Sequence, residues 1–164
     1  MELYVSENGR GKDLSLLRER FNRAALAAAA SIAALFIYAA AVEWIRGVYD
    51  PFQGFADYEW FPRLQTFLYL LGMFNILLIR YVVMRIYTAP GTADMETIAT
   101  RLFNADTASM LLSGLPGLYG LILFLLSGDL IDFYMLFGLS IIYCMIYLPR
   151  YRKWISVIEE NLTD

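Results

Sequence analysis

The sequence predicts an all-α integral membrane protein. It would be a four-helix bundle of one membrane domain over residues 1–164, with spans at about 24–45, 64–86, 109–127 and 130–148 and both termini cytoplasmic. Three observations predict this. First, 59% of the 164 residues are hydrophobic and only 18% are charged, and a soluble domain this small cannot hide that much apolar surface. Second, the apolar excess falls in four blocks, each close to the roughly 20 residues a helix needs to cross the hydrocarbon core. Third, the 13 basic residues are unevenly spread. Arg10, Lys12, Arg18, Arg20 and Arg23 precede the first block. Arg80, Arg85 and Arg101 flank the second connection, and Arg150, Arg152 and Lys153 follow the last block. Only Arg46 and Arg63 fall on the other side. The positive-inside rule then places both termini in the cytoplasm, as an even number of spans also requires. The expected location is a prokaryotic cytoplasmic membrane, crossed several times.

Taken in order, Lys12 to Arg23 sets Leu14, Leu17 and Phe21 at helical spacing,. Two readings fit: a short amphipathic helix on the cytoplasmic surface, or a solvated extension of the first span. That span, Ala24 to Ile45, is crowded with alanine. Lipid contact does not need alanine, but close approach of another helix does. Its apolar region exceeds the roughly 7–15 residues of a signal-peptide core, so it is expected to remain as a span. Glu43 and Arg46 stand one turn apart near its outer end, as a solvated pair.

Residues Gly47 to Arg63 form an outer loop holding Tyr49, Phe52, Phe55, Tyr58, Trp60 and Phe61. Aromatic side chains favour the headgroup region, so the loop is expected to lie along the outer surface. The second span, Leu64 to Ile86, carries Asn75 near its centre and Arg80 and Arg85 toward its inner end. Asn75 and Arg80 form a candidate intramembrane polar site. The competing readings are interhelical hydrogen bonding for Asn75 and snorkelling to the headgroups for Arg80. Pro90 and Gly91 end this helix. Nothing between Asp94 and Ser109 breaks a helix, so the third helix is expected to run from about Ala93 to Ser127, bent near Pro116. About three of its turns would then stand in the cytoplasm. Ser127, Gly128 and Asp129 make a tight turn into the fourth span. Pro149 ends that span, Trp154 with its basic neighbours anchors the inner surface, and a polar tail follows.

The third span is the most specific stretch. Gly114, Gly117 and Gly120 recur every three residues, which gives a flat stripe for a neighbouring helix, the first span or a second protomer. Pro116 removes one backbone hydrogen bond and kinks the helix. Gly114, Pro116, Gly117, Tyr119 and Gly120 are therefore the candidate helix-packing residues. The segment Ser113 to Leu121, SGLPGLYGL, resembles one helix of the ring-forming proteolipid (c or K) subunit of rotary ATPases. The resemblance covers about one helix in four, and it implies a ring-packing face. It also implies a mid-membrane carboxylate five residues before the Tyr-Gly pair, where this chain has Gly114.

Composition narrows the chemistry. The chain has no histidine, which removes bis-histidine haem, histidine-ligated zinc and imidazole acid–base catalysis. One cysteine, Cys144, leaves no internal disulfide. The net charge of -3 argues against a nucleic-acid partner. Cys144, Met110, Met135 and Met145 are a weak copper(I) set; sulfur in apolar spans is ordinarily packing. Asp129 and Asp132 at the outer turn could hold a cation or simply be solvated. No cofactor and no metal is expected, and no enzyme activity. The expected partners are the bilayer and other membrane helices. The functional reading is a non-catalytic membrane protein acting through helix–helix association, as a homo-oligomer or as an accessory subunit. The alternative is a small transporter or channel, a degenerate rotor-like subunit included.

Overall fold

The computed structural model describes residues 7–49, 51–55, 60–87 and 95–163. It is all-helical among those residues, with α1 Glu7–Val48, α2 Phe61–Tyr87, α3 Met95–Ser113, α4 Leu115–Ser127, α5 Leu130–Tyr147 and α6 Tyr151–Thr163. Four stretches are long and apolar enough to cross a membrane: Ser15–Val48, Phe61–Ile86, Glu96–Ser127 and Leu130–Tyr147. The expected third helix is α3 and α4 together, interrupted only at Gly114. Its expected first residues, 93 and 94, lie outside the described residues.

The amphipathic segment before the first span does not turn along a surface. α1 is unbroken over 42 residues, about 63 Å at roughly 1.5 Å per residue. Leu17 and Ala24 are buried with Ile98, Ala99 and Leu102 of α3 and with Trp154 of α6. The segment is thus an extension of the first span that packs against other helices. Farther along, Ala28 and Leu35 meet Met110 and Cys144, and at the opposite end Val42 meets Phe124 and Phe133. The inward positions 28, 35 and 42 are seven apart, the repeat of a left-handed helix pair.

α6 corrects the expectation that Trp154 is a surface anchor. Trp154 is fully buried rather than anchored at an interface, and Phe21 of α1 packs edge-on against it at 5.6 Å. α6, the beginning of α1 and the beginning of α3 share one end of the bundle, here the terminal end.

At the loop end, residues 51–55 fold onto the end of α4 instead of lying flat on the surface. Phe55 N–H donates to Leu125 O at 3.1 Å, so it satisfies a carbonyl that the helix end leaves free. Phe52 stacks toward Phe124 at 5.3 Å. Gly54 and Gly128 have φ of 79° and 75°, and in each a Cβ would collide with backbone of the other segment. Close approach of the two turns, as well as the left-handed conformation, requires glycine at both. Phe61 is also buried, while Tyr49, Phe55 and Trp60 are exposed. Tyr58 lies outside the described residues.

Candidate functional site

Pro116 has no N–H, so the carbonyl of Leu112, four residues earlier, loses its helical partner. Asn75 fills that place from α2, donating from Nδ2 to Leu112 O at 2.7 Å. Past the bend, Gly117 N–H donates to Ser140 Oγ of α5 at 2.7 Å. Asn75 is 3% exposed and Ser140 0%, so neither bond competes with solvent. Between them Gly114 N–H bonds only three residues back, to Leu111 O at 3.2 Å, and Leu118 N–H resumes the helix to Gly114 O at 3.3 Å. The Tyr143 hydroxyl of α5 donates to Gly72 O and Met73 O of α2 at 3.2 and 3.3 Å. The bend is thereby gripped from both sides by side chains of α2 and α5.

The glycine stripe divides. At Gly120 a Cβ would lie 2.9 Å from Phe133 O and 3.1 Å from Leu136 Cβ, so the backbones of α4 and α5 are in contact there. At Gly117 it would meet Leu35 Cδ2 of α1 at 2.5 Å and Ser140 Oγ at 3.3 Å. Gly114 has no neighbour closer than Leu111 O at 3.5 Å and faces a groove of about 120 Å³ lined by Ser31, Tyr38 and Leu111 among others. The helix that covers the stripe is therefore chiefly α5, the next span in sequence, with α1 touching it at Gly117. Tyr119 is half-buried and packs on the cluster of Leu68, Leu123 and Leu136.

Arg80 and Asn75 are not brought together. Arg80 is exposed on the outer face of α2, next to fully buried Ile79, so it does not line the interior. Met135 and Met145 are also exposed, away from buried Met110 and Cys144. Glu43 and Arg46 are an exposed pair at 3.7 Å, and Glu43 also accepts a hydrogen bond from Tyr134.

Two polar clusters go beyond the candidate sites read from sequence, where Asp132 stood only beside Asp129 in an acidic turn. Asp132 is 5% exposed, so the acidic turn before α5 is not a solvated pair of carboxylates. Gln65 Nε2 donates to both of its oxygens, at 2.9 and 2.8 Å, and Tyr69 Oη donates to Oδ1 at 2.8 Å. Asp129 has a separate task as the N-cap of α5, accepting from Ile131 N–H at 2.8 Å. Such a cap satisfies a backbone donor that the helix start leaves free. The second cluster lies at the terminal end, where Trp154 Nε1 donates to Asp106 Oδ2 at 2.7 Å. A signal existed for the first: Gln65 and Tyr69 are four apart, on one face of the second span near its start,. Among the described residues no group of three or more Cys, Asp or Glu side chains converges as a metal site would require.

Comparison with family models, with curated proteins and with solved structures finds no match.

Proposed function

We propose that the chain is a non-catalytic, multi-pass protein of a prokaryotic cytoplasmic membrane that works through helix–helix association, as a homo-oligomer or as an accessory subunit of a larger complex. The observation that carries this reading is the uncovered small-residue face of α1. Ala24 and Ala28 are buried against other elements, but Ala29, Ala33, Ala40 and Gly47, with the bulkier Phe36 between Ala33 and Ala40, share a second face that is exposed. Ala33, Ala40 and Gly47 repeat at seven residues, and Ala29 stands one turn before Ala33. In lipid, small residues at such spacing let a further helix approach closely. The test is purification in mild detergent with mass measurement, combined with disulfide cross-linking of Ala33→Cys in a Cys144→Ser background. A cross-linked dimer supports self-association, and a stoichiometric second chain supports the accessory role. A lone protomer with neither ends the reading.

The distribution of basic residues supports a cytoplasmic position for both termini,. Cysteines at positions 8 and 160 should then be labelled only from that side, and one at Gln53 only from the other.

One observation favours the alternative of a small transporter or channel, rotor-like or otherwise: the buried carboxylate Asp132, since ionisable groups within spans mark ion pathways by default. Arg80 and Asn75 lend it no support, because one faces outward and the other is committed to the bend. Ion flux in proteoliposomes abolished by Asp132→Asn would favour this reading; absence of flux in the unaltered protein would remove it.

A further inference from the structure

A cavity of about 260 Å³ opens at the terminal end, where α2, α3, α5 and α6 part. Its lining combines an apolar part, Val83, Ile146 and Leu148, with a charged part, Arg150, Lys153 and Asp106. We propose that this cavity holds the phosphodiester headgroup of a membrane phospholipid.

Charge is the first argument. Two cations and one carboxylate leave the lining a net positive charge of one, and a phosphodiester carries one negative charge. Asp106 is already engaged, since Trp154 donates to one of its oxygens and Lys153 is close enough to act on its charge. Arginine adds a planar fork of donors suited to phosphate oxygens. Position is the second argument. The end of the bundle that carries this cavity also carries most of the basic residues, the side that faces anionic lipid in a cytoplasmic leaflet.

The apolar part distinguishes a lipid from a soluble phosphate. Ile146 and Leu148 are 53% and 45% exposed, and Met84 and Ile142 beside them are both 55% exposed. The cavity thus runs out onto a face where acyl chains can lie while the headgroup stays inside. A small water-soluble phosphate ester gains nothing from that face. The inference rests on the membrane reading but not on the association reading, because a single protomer supplies every lining residue.

The test uses the full chain, purified in mild detergent and washed free of lipid. Phosphatidylglycerol, diacylglycerol and glycerol phosphate are each titrated in, and the unfolding midpoint is followed by the reactivity of Cys144, which is buried. Phosphatidylglycerol should raise the midpoint and remain bound in the mass spectrum, and the other two should do neither. Arg150→Gln with Lys153→Gln should weaken binding by about thirtyfold, since each cation near an anionic lipid surface strengthens attraction about fivefold. Arg152→Gln, exposed on α6 but outside the lining, should change little. Val83→Trp fills the apolar part and should weaken binding with all charges intact, which keeps the proposal decidable if the double variant does not fold. Three results would overturn it: an Arg152→Gln loss equal to that of Arg150→Gln, stabilisation by glycerol phosphate equal to that by the lipid, or no effect of the lipid.

Discussion

Substituting alanine along the glycine stripe should give three different outcomes from one added methyl. At Gly120 the new Cβ would press on Phe133 O at 2.9 Å and Leu136 Cβ at 3.1 Å. Both belong to the rigid part of α5, so the two helices must separate. Overpacking of this kind costs about 1–3 kcal/mol, and the helix-propensity gain over glycine offsets roughly 1 kcal/mol of it. A net loss of up to about 2 kcal/mol is therefore expected, toward the upper end because the obstacle at Phe133 is backbone,. At Gly117 the clash is with Leu35 Cδ2, the end of a flexible side chain, yet Leu35 is fully buried. The loss should be smaller than at Gly120, whereas Gly117→Leu should drive α1 and α5 away from the bend. At Gly114 nothing lies in the way, and φ and ψ of -78° and -17° suit any residue. Alanine there should be neutral or stabilise by about 0.4–1 kcal/mol through the unfolded chain. Leu121→Ala should matter far less than Gly117→Leu. The assay is thermal unfolding in detergent micelles, read by a thiol-reactive dye on Cys144. A stabilising Gly120→Ala, or equal tolerance of alanine at all three positions, would refute the close-contact argument.

Three further outcomes follow from the polar clusters. Asn75→Leu strands the Leu112 carbonyl and should cost about 1–3 kcal/mol, the usual penalty for an unpaired buried group. In a Pro116→Ala background the restored N–H at position 116 can take that carbonyl, so the same substitution should cost much less; equal costs in a double-mutant cycle would show that Asn75 does not serve the bend. Trp154→Phe removes the donor to Asp106 and should lower stability by about 1.5–3 kcal/mol, the range for a hydrogen bond to a charged group; an unchanged midpoint in the same assay would contradict the contact. Asp132→Asn should be tolerated, because Tyr69 can still donate and the Gln65 amide can turn over, whereas Asp132→Leu leaves both partners unpaired and should destabilise clearly. Equal effects of Asn and Leu on the midpoint would count against the hydrogen-bonded cluster.

The spans were legible because the length and apolarity of a block do not depend on what packs against it. Pro116 was legible as an interruption of the helix hydrogen bonds for the same local reason. Asn75 and Ser140 were not legible as its partners, because periodicity gives the face of each helix but not which helix lies opposite. Asp132 illustrates the same limit. Its carboxylate looks solvated from sequence, being three residues from a turn, and becomes buried only because Gln65 and Tyr69 of a distant segment face it. The aromatics of the loop between the first two spans were ambiguous in a different way. Phe52 and Phe55 have the same composition signal, yet one is packed and the other exposed, and the decision rests on the close approach of Gly54 and Gly128. α6 was legible in principle. Trp154 and Val157 are one turn apart on a face, but the charges around them masked the apolar stripe.

The polar groups at the bend bear on what kind of membrane protein this is. A proline kink acts as a hinge when the groups it frees can exchange partners as the angle changes. Here the freed carbonyl of Leu112 and the N–H of Gly117 are each bonded to a different helix, and Gly120 holds α4 against α5 one turn later. Opening the bend would expose those groups in a region without water, where each unsatisfied backbone group costs several kcal/mol. The bend is thus a fixed feature that shapes the bundle. It also occupies Asn75 and Ser140, two of the few polar side chains that could otherwise line a path. A bundle locked at its centre, with its spare small-residue face directed outward on α1, supports a part against which other helices pack more than a conduit that must open and close.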